Sequence, residues 1–408
     1  MKAKLLVIAM LLSGATIVAK AQTLPLDSVL AKISANPALL AYDAKAKAQD
    51  AYAKGAKNFD APKLSAGQYQ VPYQLNPNGG SFMIEGEQTF TNPAKLRAKE
   101  DYLKGQSKVT AADKDYLKNQ LFAQAKQYYY ERIVLEKKLA LLQQTQNLLE
   151  YMLKDANIRL TYGKEKLPNI YKAKAELYEL NDSREELLND ISQKNILLNT
   201  LMNRDKTAPF AVDTMVVFKD YGTMATDTAA LAINRSDVKS INRNIDLQQL
   251  NAQMEYSKRK PDFGIQAAHM FSYGGYANQY ILMASVTIPI VPWSSKEYKA
   301  NLKGIRYETE ALQQRKLDIL NQSAGQLAGI KAEMTSKKRQ LDNYRQNIIP
   351  ALQNSYKTAL QAYDQNTGDL PSVLNSIKDL QTARTTALDR TQELLTLQVA
   401  YEKEIEKY

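Results

Sequence analysis

The sequence predicts a mainly α-helical chain of two repeated halves, each with one β-hairpin set between long helices. Three observations carry this reading. Pro261 to Pro292 reads as strand, glycine-bearing loop and strand, with long helical patterns on either side, and Pro62 to Pro93 has the same layout. Glycine (16) and proline (13) are scarce in 408 residues, which permits a few very long helices. The punctuation also repeats. Pro62 and Pro261, Pro93 and Pro292, and Gly105 and Gly304 are each 199 residues apart, and Leu167–Pro168 lies 203 before Leu370–Pro371. Chance supplies one or two such matches, hardly four, so the chain is read as a duplication.

Composition narrows the function. The formal net charge is +11, of which Lys2, Lys4 and Lys20 fall in a segment expected to be removed, leaving +8. A surplus of this size suits nucleic acid or anionic lipid. Basic residues alternate with acidic ones, however, as in Lys164, Glu165, Lys166 and Glu402, Lys403, Glu404, so a solvated helical face is preferred. Cysteine is absent, which excludes disulfides, thiolate metal sites, a cysteine nucleophile and a lipidated N-terminal cysteine.

At the N-terminus, Lys2 and Lys4 precede an apolar run from Leu5 to Leu12, and Ala19, Lys20 and Ala21 form a small-x-small site. This is a secretory signal peptide over 1–21, cut before Gln22. The run is shorter than the roughly 20 apolar residues of a spanning helix. No later stretch reaches that length either, so a membrane crossing would have to use β-strands.

The first repeat is placed at 22–204. Leu26 to about Asp60 reads as helix, with a restart at Asn36, where Pro37 costs nothing at the first turn. A hairpin follows over 63–91. In its first strand Tyr69, Val71 and Tyr73 are expected on one face and Gln68 and Gln70 on the other. In its second, Phe82, Ile84, Gly86 and Phe90 oppose Met83, Glu85 and Glu87. One greasy and one polar face suit a barrel wall, and equally a half-exposed soluble sheet. Pro93 opens a helix to about Ile158. Its seam (Leu121, Ala125, Tyr128, Arg132, Leu135, Leu139, Leu142, Gln146, Leu149, Leu153) steps by 3 and 4 after the first position, which is coiled-coil spacing. A tip turn near 160–168 leads to a return helix with Ala173, Leu177, Leu180, Leu187 and Leu198 on one seam. There Gly163 can close one helix and Pro168 can open the next.

A connecting element at 205–230, with a possible strand at Ala211 to Phe218, joins the halves. The second repeat, 231–408, has a helix to Lys260, a hairpin over 262–291 and a long helix with Leu317, Leu320, Ala324, Leu327, Met334, Leu341 and Ile348 on its seam. Pro350 should kink or restart that helix. A tip turn near 364–371 precedes a last helix carrying Val373, Ile377, Leu380, Ala387, Leu394, Tyr401 and Ile405.

Four strands per protomer cannot close a barrel, and an open edge in lipid leaves backbone groups unpaired at several kcal/mol each. If the strands lie in a membrane, the chain must associate. Three copies supply twelve strands, within the range of outer-membrane barrels. The expected fold is a trimeric 12-stranded β-barrel continued by a long α-helical coiled-coil tunnel.

These features together resemble the TolC-type outer-membrane efflux family over essentially the whole mature chain. The resemblance rests on the signal peptide, Asn36 to Leu39, the two strand pairs, Ile348 to Leu352, and the tip turns at Tyr162–Gly163 and Tyr363 to Gly368 with Val373 and Leu374 beyond. Order and spacing carry it rather than any single motif. It implies a homotrimeric duct in the outer-membrane lipid of a Gram-negative bacterium, docked to a periplasmic adaptor and an inner-membrane RND-type or ABC-type pump. It places adaptor docking at Tyr162, Gly163, Leu167, Pro168, Tyr363, Gly368, Leu370 and Pro371. Glu87 to Pro93 is similar to the strand-to-helix junction of members paired with heavy-metal cation pumps. Members often carry aspartates just past the tip glycine. Here the matching positions are Asn169, Ser372 and Asn375, with Asp364 and Asp369 nearby as substitutes. Asp369 reads equally as a helix N-terminal carboxylate.

No catalysis, cofactor or metal is expected. His269 is the single histidine and reads as a wall residue; Met270, Met283 and Met334 read as wall or core rather than thioether ligands. No phosphate loop, serine elbow or metalloprotease signature is present. Conduction through such a duct is passive. Two other readings stay open: a secreted periplasmic coiled-coil adaptor or scaffold, and, within the duct reading, a type I protein secretion duct. Nucleic-acid binding is opposed by the signal peptide.

Overall fold

Long helices and two hairpins recur in the same order twice in the computed structural model, which describes residues 23–74, 78–215, 218–222, 224, 228–289 and 291–406. The signal segment, with Ala19, Ala21 and Gln22, lies outside the described residues.

The chain opens with β1 (Thr23–Leu24), α1 (Leu26–Ile33) and α2 (Pro37–Gly55). Asn36 caps α2: its side chain accepts from the Ala38 N–H at 2.9 Å, and Pro37 fills the first turn. Next come β2 (Lys63–Tyr69), β3 (Ser81–Phe90), α3 (Pro93–Thr161) and α4 (Leu167–Leu201). At 1.5 Å per residue, the 69 residues of α3 span about 100 Å. The connection holds β4 (Ala211–Val212), two residues long where a strand to Phe218 was expected; Val216 and Val217 lie outside the described residues.

In the second half, one expected helix is two, α5 (Thr228–Asn234) and α6 (Ser236–Ser257), separated by Arg235 in an extended conformation. There follow β5 (Asp262–Ser272), β6 (Gln279–Thr287) and α7 (Pro292–Asn343). Pro350 marks a restart, as expected: the α-helix that begins as α7 is interrupted just before it, and Pro350 lies in the first turn of a new one. A π-helical turn at Tyr344–Ile348 leads directly into α8 (Ile349–Asp364). Proline has no N–H and its ring crowds the carbonyl four residues back, here that of Gln346; a widened turn relieves both. Helix α9 (Leu370–Ile405) ends the described fold.

The residues form two compact units. One comprises the chain to Lys32, Tyr128–Val217 and Ile349–Asp389. Its core joins α3 and α4 to α8 and α9 through Leu142, Leu149, Met152, Ala156, Ile170, Ala173, Leu180, Tyr363, Leu370, Val373, Leu374 and Ile377. The α3 seam here runs Leu142, Thr145, Leu149, Met152, Ala156, while the expected Gln146 and Leu153 are half-buried. The spacing is the expected one, shifted by a residue at alternate steps because α3 meets more than one partner helix. In the same unit β1 pairs in parallel with β4, and the Tyr129 hydroxyl pins them, donating to the Leu24 carbonyl at 2.9 Å and accepting the Asp213 N–H at 3.0 Å.

The other unit comprises Ile33–Gln127, Phe218–Ile348 and Arg390–Tyr408. It holds a four-stranded antiparallel sheet of order β2-β3-β5-β6. It also holds a buried polar network. Lys126 and Glu402 pair at 2.7 Å with 6% and 5% of their side chains exposed. Glu402 also accepts from the Tyr221 hydroxyl at 3.1 Å and the Gln398 amide at 3.0 Å, so the buried charge is satisfied on all sides. Of the expected α7 seam, Leu327, Met334 and Leu341 are buried, but Leu317 is exposed among the described residues.

Candidate functional site

Two features stand apart from ordinary packing: one face of the sheet, and the pair of turns that close the helical hairpins.

Cross-strand partners share a face, so the register sorts the sheet unambiguously. Ala66, Ile84, His269 and Tyr280 form one row. The rows beside it are Leu64, Gly86, Ala267, Leu282 toward the helices and Gln68, Phe82, Phe271 toward the loops. Ile265, Phe263, Phe90, Val286, Ala284 and Gln88 also lie on this face. Ten of its large apolar side chains are exposed, Leu282 at 71% and Tyr280 at 82% among them. Its polar members are few. Gln68 and Gln88 sit near the two ends, and Gln88 spends its amide on the carbonyls of Asp60 (2.8 Å) and Thr89 (2.7 Å). His269 lies mid-face, edge-on to Phe271 with ring centroids 4.5 Å apart.

The opposite face carries Lys63, Ser65, Glu85, Glu87, Gln266, Ser285 and Thr287, interspersed with Met83, Met270, Ile281 and Met283, and the Gln266 amide donates to Glu85 at 2.6 Å. Tyr69 and Gln68 lie on the faces opposite to those expected. Tyr69 belongs to this polar face, opposite Ser81, and Gln68 to the apolar one. The strand stops at Tyr69 because Gln70 turns to φ 54, so Val71 and Tyr73 belong to neither face. The pairing of β3 with β5, which fuses the two hairpins into one sheet, has no local signature in the sequence. Strands β2 and β6 remain as open edges.

The tip is built around Arg159, which sequence reasoning passed over. Its guanidinium donates to Asp155 at 2.7 Å, to the Tyr363 carbonyl at 2.9 Å, to Asp364 at 3.2 Å and to Asn366 at 3.3 Å. It also lies 4.2 Å over the Tyr363 ring. Burial, then the charge of Glu165, pushes the Tyr363 phenol well above its ordinary pKa. One residue thus ties the end of α3 to the α8–α9 turn. Beside it is a cleft of about 310 Å³ whose walls include Gly163, Lys164, Glu165, Asn169 and Gly368.

The two turns are alike, though not at the glycines. In the first, Gly163 has φ 68, and the next N–H, of Lys164, bonds back to the Arg159 carbonyl at 2.9 Å. In the second, the left-handed residue is Asn366 at φ 57, and the Thr367 N–H bonds back to the Ala362 carbonyl at 2.9 Å. Asparagine is the usual substitute for glycine there. Gly163 and Asn366 are 203 apart, the offset of Leu167 and Leu370. Gly368 instead fits against Ala362, whose Cβ would lie 3.0 Å from any added methyl.

Tyr162, Gly163, Leu167, Pro168 and Gly368 are exposed, Pro371 half-buried, and Tyr363 and Leu370 are core. Asp369 precedes α9 and accepts from the Ser372 N–H at 3.0 Å and from its hydroxyl, which hold its carboxyl below the ordinary aspartate range. Asp364 is 61% exposed and paired with Arg159. Asn169 donates to Glu165 at 2.8 Å, and Asn375 is exposed. No group of three or more His, Asp or Glu side chains suited to a metal ion occurs among the described residues. Nor is any helix of the described residues long and apolar enough to cross a membrane.

No protein-family profile and no curated protein match the sequence. Solved structures do match the fold. The outer-membrane channel OprN superposes with a TM-score of 0.75 at 14% identity, covering 93% of this chain and 89% of that one. The outer membrane protein VceC of Vibrio cholerae gives 0.73 at 14% identity, over 93% and 95%. CusC, described for its transmembrane channel formation, gives 0.74 at 14% identity, over 93% and 91%. The chain therefore has the fold of these channel protomers, as the resemblance to TolC-type proteins implied.

Proposed function

We propose that this chain is the outer-membrane exit duct of an efflux system, passing substrates from periplasm to exterior without catalysis. The observation that carries the reading is the sheet: an apolar face left exposed, a polar face behind it, and both edges open. In water an exposed patch of this kind invites aggregation. In lipid the apolar face is solvated, and only the edges need partners. Three copies meet that need as a 12-stranded barrel with the polar faces lining the lumen. The helical hairpins then reach into the periplasm. The two repeats, 22–204 and 231–408, flank the connection at 205–230.

In this duct the tip docks a periplasmic adaptor coupled to an inner-membrane pump. Exposed Tyr162 and Leu167 are the apolar anchors. Tyr363 and Leu370 serve from the core, holding the turns in shape. The exposed carboxylates of Asp364 and Asp369, with Asn169, Ser372 and Asn375, line the constriction, where a threefold ring attracts cations. Replacing both aspartates by alanine is expected to change single-channel conductance or its block by divalent ions in planar bilayers. Unchanged conductance and block would remove the gate role and leave the duct.

The experiment for the duct itself is reconstitution of the purified protein in a planar bilayer, with ion-conducting steps expected. A soluble adaptor or scaffold would give none, and it would have no use for ten exposed apolar side chains on one sheet face.

A further inference from the structure

The chain passes between sheet and helices four times, and every passage is basic. From α2 into β2 stand Lys54, Lys57 and Lys63; from β3 into α3, Lys95, Arg97 and Lys99. From α6 into β5 stand Lys258, Arg259 and Lys260; from β6 into α7, Lys296 and Lys299. The segments 54–63, 92–99, 255–262 and 291–299 thus hold eleven Lys and Arg against four Asp and Glu. The opposite end of the same sheet is uncharged: neither 70–80 nor 272–279 contains a charged residue. Interleaved charge on solvated helices does not produce such a gradient along one sheet.

Pairing does not consume this charge. Lys57, Lys63, Lys95 and Lys258 have carboxylate partners, in Glu100, Glu87, Asp262 and Glu255. The other seven form no ion pair among the described residues, and all seven are exposed. Only two carboxylates of the four segments, Asp60 and Glu297, are likewise without a cation.

Aromatic rings lie at the same level. Phe59 meets Phe90 edge-on at 5.6 Å, and the Arg259 guanidinium sits 3.7 Å from the centre of the Tyr256 ring. Trp293, the single tryptophan, is 80% exposed in the first turn of α7. Rings with one apolar and one polar edge, next to cations on long stems, match the boundary between acyl chains and headgroups.

We propose that these four passages form a collar that binds the phosphate groups of anionic phospholipids in the periplasmic leaflet, fixing the depth of the barrel. The proposal rests on the reading that the sheet spans lipid. Basic residues next to a spanning segment are drawn to an anionic leaflet, and three copies of the collar would ring the barrel with unpaired cations. Phosphate diesters accept hydrogen bonds from Arg and Lys, and binding them would break no ion pair that these seven residues form among the described residues.

Trp293 makes the test direct. The full-length protein is reconstituted in phosphatidylcholine vesicles in which either phosphatidylglycerol or phosphatidylcholine carries brominated acyl chains. Trp293 fluorescence is then read as the brominated fraction rises. Half-maximal quenching is expected at about threefold lower fraction for the anionic lipid. The preference should vanish in a Lys260→Gln, Lys296→Gln, Lys299→Gln variant that still migrates as the same oligomer. Inorganic phosphate should not reverse it, which separates a headgroup from a free-anion site. Equal quenching by both lipids in the unaltered protein overturns the collar alone. Failure to float with vesicles overturns the membrane reading beneath it.

Discussion

Replacing Arg159 with alanine tests the tip most sharply, because the size of the effect follows from its contacts. The hydrogen bond from the guanidinium to the Tyr363 carbonyl, at 2.9 Å, is charge-assisted and worth about 1.5–3 kcal/mol. Stacking on the Tyr363 ring at 4.2 Å adds about 0.5–1 kcal/mol. Asp364 is 61% exposed, so its pair contributes no more than about 1 kcal/mol, and the Asp155 pair about 0.3–0.5 kcal/mol. Water regains part of this at the carbonyl, leaving a net loss of about 2 kcal/mol confined to the turn. The amides of Asn366, Thr367 and Gly368, which bond to the Tyr363 and Ala362 carbonyls, report it. Their hydrogen exchange should quicken by about 30-fold in Arg159→Ala. Asp364→Ala should change it by less than about fivefold. An equal effect of the two substitutions would show that the exposed ion pair, not the ring and carbonyl, holds the turn.

The sheet face makes a paired prediction: Leu282→Arg should cost about 2–4 kcal/mol in membrane stability and reduce the yield of folded oligomer in outer membranes, while Met283→Arg, on the polar face, should be tolerated. In the buried network, Lys126→Met alone should destabilise by about 3–5 kcal/mol, whereas adding Glu402→Gln should recover most of it; thermal unfolding in detergent measures both, and simple additivity would refute the pairing. The Asp369 carboxyl titrates below its ordinary value, so its stabilisation of α9, about 1 kcal/mol, is complete at neutral pH and is lost as the pH falls below about 4. The protection of the Ser372 amide, its exchange rate relative to the unstructured rate at the same pH, should therefore fall in acid, and Asp369→Asn should abolish that dependence. Persistence of the acid response in the variant would assign it elsewhere.

Much of the fold was legible because its signals are local. Proline and glycine mark the ends of helices, a cap at Asn36 needs only its neighbours, and alternation along Ser81–Phe90 names a face directly. The reading failed where distant partners decide. Gln68 and Tyr69 alternate as readily one way as the other until Phe82 and Ser81 fix the register. Nothing near β3 announces β5. Arg159 looks like any basic residue ending a helix, and its role depends on a turn some 200 residues later. Asn366 was overlooked because Gly368 offered the more familiar signal two positions on. The basic collar was hidden by averaging: the whole chain interleaves its charges, while the sheet's two ends differ completely.

The central claim is that the open edges of this sheet are closed by sister chains in lipid. The direct measurement is the mass of the protein extracted from outer membranes in mild detergent, with its electrophoretic mobility before and after boiling. A species of three chains that collapses to one only on heating is the predicted result. A water-soluble single chain, unchanged by heat and absent from the membrane fraction, would contradict it.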